Sequence, residues 1–255
     1  MITLLTDFGL QDVYVGVMKG AIASINPELL VVDLTHQIPP QDITAARFVL
    51  LNTYPYFPSD TVYVAVVDPG VGSKRRGIAI EFPGGFLVGA DNGIFSGILS
   101  IAPAIKAVEL TNPKYWLTDN PSKTFHGRDI FAPVGAHLAS GVALEELGNE
   151  ISVDSLVQLS LPDVVEQKHS IIGCIQYIDG FGNLITNIPE SKLNNKLGLV
   201  EIKQKQIPYY QTYSDVTEGE LLALVGSHGW LEIAVNCGSA RNKLDVVVGD
   251  SVIFI

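Results

Sequence analysis

Five short clusters in this chain set charged and polar side chains beside glycine. They are Thr6-Asp7-Phe8-Gly9-Leu10-Gln11-Asp12, the run from Asp68-Pro69-Gly70 to Arg75-Arg76, Phe125-His126-Gly127-Arg128-Asp129, Asp179-Gly180-Phe181-Gly182-Asn183, and the run from Gly226-Ser227-His228 to Val235-Asn236. Glycine marks places where the backbone turns tightly. Carboxylates, guanidinium groups and imidazole are the groups of acid–base and charge-stabilising chemistry. Each cluster also has a plain reading. Asp7 and Asp12 fit turn and helix-cap positions, which taken alone is the better reading. Asp68-Pro69-Gly70 fits a turn after a strand, and Asp179-Gly180 fits a hairpin turn. Arg75 and Arg76 fit a solvated charge pair, His126 a satisfied loop histidine, and Asp129 a cap with Arg128 paired locally.

The missing motifs narrow the chemistry. There is no G-x-x-x-x-G-K-[ST], and no G-x-G-x-x-G follows the first apolar run, so a P-loop and a dinucleotide fold are not supported. H-E-x-x-H and C-x-x-C are absent, and the histidines at 36, 126, 137, 169 and 228 have no ligand-like spacing, so no metal is expected. G-x-S-x-G, the serine hydrolase elbow, is absent too.

The clusters fall at the ends of apolar runs. Met1–Gly9, 29–35 and 61–68 read as buried strands, and 77–82 and 86–91 as strands joined by Pro83-Gly84-Gly85. Helical spacing runs over 13–25, stopped by Asn26-Pro27, and over 43–53 behind a cap at Asp42. Residues 92–102 fit a helix, as do 129–140 despite Pro133. This alternation predicts an α/β domain with a mostly parallel sheet over 1–155. Ligands of such sheets sit beyond the carboxyl ends of the strands, where Asp7, Asp68 and Asp91 fall. A polar connector covers 156–169. From 170 to 255 only short β-branched runs divided by Gly, Asn and Asp remain, which predicts a smaller all-β barrel domain.

Composition excludes several classes. The chain has 255 residues, 16 basic and 27 acidic, for a net charge of −11. Charged residues are 17 % and hydrophobic ones 47 %, against roughly 25 % charged in ordinary domains, so disorder is excluded. No basic run exceeds Lys74-Arg75-Arg76, which disfavours nucleic acid and anionic membranes as partners. No stretch reaches the ~18 apolar residues of a membrane span. The first residues lack a basic region and a cleavage site, so a signal peptide is not expected. Cys174 and Cys237 make no disulfide framework, which fits a reducing cytoplasm, with one incidental disulfide left open.

Taken together and in order, the clusters resemble one family. Thr6-Asp7-Phe8-Gly9 with Asp12, Tyr14, Val15, Gly16, Met18, Lys19 and Gly20 is similar to the opening signature of the S-adenosyl-L-methionine hydroxide adenosyltransferases, relatives of the fluorinases and chlorinases. The segment Val67–Ser73 with Arg75, followed by Phe125–Asp129, resembles the family's middle. Phe181-Gly182-Asn183-Leu184, Thr186-Asn187 and Gly226-Ser227 through Ala234 resemble its C-terminal half. The likeness spans Met1 to about Ala240.

The resemblance implies hydrolysis of S-adenosyl-L-methionine to adenosine and L-methionine, by attack of water or hydroxide on the ribose C5′. The sulfonium is already a good leaving group, so the demand falls on the nucleophile, because bulk water has a pKa near ~15.7. By resemblance Asp68, Arg75 and His126 are the catalytic trio: Asp68 orients His126 or the water, Arg75 favours hydroxide character, and His126 positions the water or relays a proton. Asp7, with Asp12 nearby, takes the ribose hydroxyls. Asp179 and Asn183 take the methionine ammonium, Ser227 takes the carboxylate, and Glu232, Val235 and Asn236 meet the adenine. His228 stands where some relatives have arginine, which would make carboxylate binding weaker or pH-dependent. The family further implies a homotrimer with inter-subunit sites and no cofactor, S-adenosyl-L-methionine being the substrate. Three rivals remain: a halogenase of the same fold, which Asp68 argues against by repelling a halide; a non-catalytic adenosine or S-adenosyl-L-methionine binding protein; and a structural oligomer whose polar clusters are only turns.

Overall fold

Burial on both faces explains why the inner strands read as unbroken apolar runs. The computed structural model describes residues 1–193 and 198–255. These form two units, Met1–Leu159 and Ser160–Ile255. In the first unit the elements are β1 (Ile2–Thr6), α1 (Tyr14–Ile25), β2 (Val31–Thr35), α2 (Ile43–Thr53), β3 (Thr61–Val66), β4 (Gly77–Phe82), β5 (Gly85–Ala90), α3 (Ser96–Leu99), β6 (Lys106–Glu109), α4 (Ala132–Ala139) and β7 (Asn149–Ile151). Every residue of β1 and β3 is buried.

The strands lie in the order β2-β1-β3-β5-β4-β6-β7. The pairings β2-β1, β1-β3 and β3-β5 are parallel; β5-β4, β4-β6 and β6-β7 are antiparallel. The sheet is therefore mixed, where the sequence pointed to a mostly parallel one. The reason is local: the tight Pro83-Gly84 turn joins β4 directly to β5, and a link that short forces antiparallel pairing. Strands β6 and β7 went unread because Lys-Ala-Val-Glu and Asn-Glu-Ile are too short and polar to stand out. The parallel strands β1, β3 and β5 end together, so Asp7 and Asp68 follow neighbouring strand ends.

Helix α1 buries Val15, Met18, Ala21 and Ile22 at the spacing of one helical face. Its N-cap is Val13 with no side-chain bond, so Asp12 does not cap it. Asp42 does cap α2, accepting from the Ala45 N–H at 2.9 Å. The helix expected over 92–102 shrinks to α3, and the one over 129–140 is in two parts. A π-helical turn covers Gly127–Phe131 and α4 follows it. Gly135 lets α4 lie close on the sheet, since a Cβ there would stand 2.5 Å from a Val64 methyl.

The second unit holds β8 (Val165–Glu166), β9 (Ile171–Ile178), β10 (Leu184–Pro189), β11 (Leu199–Ile202), β12 (Lys205–Pro208), β13 (Leu221–Val225), β14 (Trp230–Val235), α5 (Ala240–Leu244) and β15 (Ser251–Phe254). The order β12-β11-β15-β9-β10-β14-β13, with β8 on β9, is antiparallel throughout. A bridge between Tyr209 and Ala223 brings the two ends of this sheet together, so it curls nearly into a barrel. Its interior is filled by Ile175, Leu184, Ile188, Val200, Leu231, Ile233 and Val252 among others. Helix α5, capped by Ser239, departs from the all-β expectation; five residues are too few to show helical periodicity. Among the described residues no helix is long and apolar enough to cross a membrane.

Strands β11 and β12 form a hairpin. Lys203 and Gln204 between β11 and β12 have φ of 47° and 63°. Both central residues at positive φ is what a type I′ turn requires, and such turns favour Asn-Gly. Replacing Gln204 with Gly should therefore raise unfolding stability by about 0.5–1 kcal/mol, read from the urea midpoint, because glycine adopts this backbone without the penalty paid by a Cβ.

Candidate active site

A cavity of about 430 Å³ opens in the first unit, lined by Asp7, Phe8, Tyr14, Pro40, Gln41, Val66, Asp68, Pro69, Val71, Thr124, Phe125, His126 and Gly127. That volume falls in the range of small-molecule sites, ~300–1,000 Å³. Asp68 reaches it from the end of β3. Arg75 Nε donates to Asp68 Oδ1 at 3.0 Å, and its Nη2 donates to Oδ2. The same Nη2 lies 2.7 Å from His126 Nδ1. Arginine has donors only, so His126 Nδ1 must accept and its hydrogen sits on Nε2. Arg75 thus stands between Asp68 and His126, and His126 is oriented by Arg75 rather than by the carboxylate directly.

The ion pair is nearly closed off from water, with side chains 11 % and 5 % exposed for Arg75 and Asp68. The Phe131 ring lies under the guanidinium at 5.3 Å. Burial and then the Arg75 charge push the His126 pKa below its usual value, outweighing the opposite pull of Asp68 and Asp129. The imidazole is therefore neutral near pH 7.

Local backbone chemistry brings the trio together. Gly72 has φ +77°, and a Cβ on it would stand 2.4 Å from the Lys123 carbonyl, so the loop after β3 presses directly on the segment leading to His126. His126 immediately precedes the π turn. Pro133 has no N–H to give the Asp129 carbonyl in the turn before it, and the Leu117 N–H takes that carbonyl at 2.9 Å. Asp129 is not a cap. It is buried and accepts from Arg128 Nε at 2.5 Å and the Ser122 N–H at 2.7 Å, pinning the loop before His126.

The consecutive arginines split. Arg76 Nε binds Asp91 at 2.9 Å, and Asp91 also accepts the Val157 N–H, also at 2.9 Å. Asp91 is thus a structural clamp, and neither arginine is a solvated charge. Asp7 lines the cavity and its Oδ2 accepts the Gln41 N–H at 2.8 Å. Asp12 is exposed and outside the lining.

The second unit has its own cavity, of about 320 Å³, lined by Phe181, Asn183, Tyr213, Val235, Cys237 and Gly238. Asp179 closes the β9–β10 hairpin: its Oδ1 accepts the Phe181 and Asn183 N–H groups, each at 2.9 Å, and its Oδ2 the Asn183 amide at 3.0 Å. Asp179 is thus a turn residue, and the lining of this cavity does not include it. Glu232 is buried, and its oxygens take the Tyr213 hydroxyl at 2.7 Å and His228 Nε2 at 3.1 Å. Burial and this carboxylate push the Tyr213 pKa up, so its hydroxyl stays a donor. His228 Nδ1 accepts the Trp230 N–H at 3.2 Å, so the ring is turned inward onto Glu232. Ser227 is exposed, and the Asn236 amide is tied to the Val216 carbonyl at 2.8 Å. Cys174 is buried and Cys237 exposed; the two are not joined.

Residues 2–148 match the family model of the SAM hydroxide adenosyltransferase N-terminal domain, and residues 173–253 match that of its C-terminal domain. The chain belongs to the SAM hydroxide adenosyltransferase family. A relative from Salinispora tropica, named (R)-S-adenosyl-L-methionine hydrolase, is 39 % identical over 98 % of this chain and 95 % of its own. A fluorinase from Nocardia brasiliensis is 26 % identical over 99 % and 95 %. The crystal structure of an uncharacterized conserved protein from Thermotoga maritima superposes with a TM-score of 0.94 at 38 % identity, covering 100 % of this chain and 99 % of that one.

Within this family member, sequence reasoning missed the aromatic wall. Phe8, Tyr14 and Phe125 pack with centroids 5.3–5.6 Å apart, Phe125 edge to face with each of the other two, and all three line the first cavity. The signal was their place beside Asp7 and His126 in the motifs. Gln41 and Tyr213 carried no signal, because each reaches its cavity from a segment remote in sequence. The neutral Nε2–H tautomer of His126 is testable by nitrogen-15 NMR. Nε2 should read as protonated and Nδ1 as unprotonated at pH 7, with titration only below the usual histidine range.

Proposed function

We propose that this protein hydrolyses S-adenosyl-L-methionine to adenosine and L-methionine, in the cytoplasm and without a cofactor. The observation that carries this reading is Arg75 bonded to both Asp68 and His126 at the wall of a cavity that Asp7 also lines. The relatives' name specifies the (R) configuration, and we extend that substrate to this chain.

The chemistry follows from who can donate and who can accept. Water oxygen bonds to C5′ as the C5′–S bond breaks, and the electron pair neutralises the sulfonium. One water proton must leave. Arg75 has no acceptor, and the His126 Nδ1 lone pair is engaged by Arg75. Asp68 is the trio's member with lone pairs to spare, so it takes the proton. His126 Nε2–H holds the water, and the Arg75 charge stabilises the hydroxide character that develops on it. A carboxylate at this position disfavours halide as nucleophile.

Asp7 would take the ribose hydroxyls, since a carboxylate accepts both donors of a vicinal diol. Asp179, Asn183 and Ser227 would hold the methionine end, and Val235 and its neighbours the adenine. The assembly that fits this assignment is a homotrimer in which a neighbouring copy completes each site.

The deciding experiment is product analysis after incubation with each sulfonium epimer in oxygen-18 water, with and without chloride. Adenosine labelled at the 5′ hydroxyl plus methionine is the expected result. Chlorinated adenosine would make it a halogenase, and bound but unreacted ligand a binding protein. In the same assay Asp68→Asn should lower kcat by about 10²–10⁴-fold while calorimetry still detects binding. Undiminished turnover would remove Asp68 from the mechanism.

A further inference from the structure

We propose that His36 is a positioning residue for substrate binding, acting through the loop that carries Asp7. The proposal rests on the reading that Asp7 receives the ribose hydroxyls. His36 follows β2, is 4 % exposed, and belongs to none of the motifs that carry the trio. Its Nδ1 lies 2.9 Å from the hydroxyl of Thr6, itself fully buried at the end of β1. Thr6 Oγ1 also accepts the Phe8 N–H at 3.2 Å, so the hydroxyl hydrogen is free to go to His36. On the far side of the ring, Nε2 is 3.0 Å from Asp33 Oδ1, off the line of a good hydrogen bond but within ionic reach. A carboxylate at that nitrogen keeps its hydrogen there and leaves Nδ1 as the acceptor for Thr6.

The chain of bonds therefore straddles Asp7, through Thr6 before it and Phe8 after it. Two further bonds tie the same segments together. The Gly9 N–H donates to the His36 carbonyl at 2.7 Å, and the Gln41 N–H donates to Asp7 Oδ2 at 2.8 Å. Gln41 makes its bond from φ +67°, an uncommon backbone for a residue with a Cβ. Between them, buried Ile38 and the Pro39-Pro40 pair keep 36–41 stiff. The Asp7 carboxylate is thus held at Oδ2 by the Gln41 N–H while the residue lines the cavity. The Lys19–Asp33 pair at the outer end is 41 % and 37 % exposed and adds little; the buried Thr6–His36 bond is the part that matters.

A cycle between side chain and substrate hydroxyl tests this. Steady-state kinetics are measured on S-adenosyl-L-methionine and on its 2′-deoxy and 3′-deoxy analogues. The proteins are the natural chain, Asp7→Asn, Thr6→Val, His36→Leu and His36→Asn. On the full substrate, His36→Leu and Thr6→Val should each raise KM about tenfold with kcat within about twofold, because binding common to ground and transition state is lost. His36→Asn should recover most of the loss, since its amide oxygen can stand near the place of Nδ1. On the analogue lacking the hydroxyl that Asp7 holds, the penalty should vanish. A KM penalty equal on all three substrates overturns the proposal and makes His36 a fold residue only. Coupling seen for Asp7 but not for His36 or Thr6 also overturns it. Coupling seen for none of the three overturns the ribose reading of Asp7 and the proposal with it. Thr6→Val keeps the side-chain volume, so the test survives if His36→Leu does not fold.

Discussion

A guanidinium donates in a fixed plane and accepts nothing, and the first unit is arranged around that asymmetry at Arg75. One edge takes both oxygens of Asp68, and the shared Nη2 takes the lone pair of His126 Nδ1. Burying two charges costs more than their attraction returns unless the geometry is good and the remaining donors are met. Here the pair is two-point, a third bond goes to the imidazole, and the Phe131 ring covers one face. Gly77 at the start of β4 keeps that face open, because a Cβ there would stand 3.0 Å from the Phe131 ring. Removing one charge would leave the other buried and unmatched, at about 3–5 kcal/mol. The same arrangement that makes the trio expensive to break fixes the tautomer of His126.

Holding such a cluster requires backbone that regular elements do not supply. Gly72 at positive φ lets one loop touch the carbonyl of another. The π turn at Gly127–Phe131 sits directly after His126, where one extra residue in the turn re-aims the side chain that precedes it. Pro133 withholds a donor, and the freed Asp129 carbonyl captures Leu117. Gln41 accepts an unfavourable φ so that its N–H can reach Asp7. These departures from regular geometry gather at one end of the parallel strands, which is where strain is expected if it serves a site.

What the sequence made legible were features with local causes. The runs of β1 and β3, the buried face of α1 and the Asp42 cap each follow from a few adjacent residues. So did the division into an α/β part and a β-rich part. The antiparallel half of the first sheet was hidden because β6 and β7 are short and polar, and α5 because five residues carry no period. The hairpin at Lys203-Gln204 lacks the glycine that would have announced it. In the site, Asp68, Arg75 and His126 could be named through the family likeness, but not the order of their contacts. That Arg75 stands in the middle depends on a contact between positions 75 and 126, and nothing in either segment states it. Asp91 had a claim by its place at a strand end, and only its saturation by Arg76 and the Val157 N–H removes it from the chemistry.

The charge of the chain fits the proposed reaction from a second direction. S-adenosyl-L-methionine carries a sulfonium, an ammonium and a carboxylate, and is a net cation. Adenosine is neutral and methionine a zwitterion. A protein of net charge −11 draws the substrate in by its long-range field and has no such hold on either product. The carboxylate of Asp7 extends that preference into the first cavity, where screening by salt is weaker. A nucleophile with hydroxide character is disfavoured by the same field. In the proposed reaction the buried Arg75 answers that conflict locally: its donors are taken by Asp68 and His126, and its positive charge lies beside the two groups assigned to handle the water. On the proposed mechanism the global field selects the cation, and the trio stabilises the anion that attacks it.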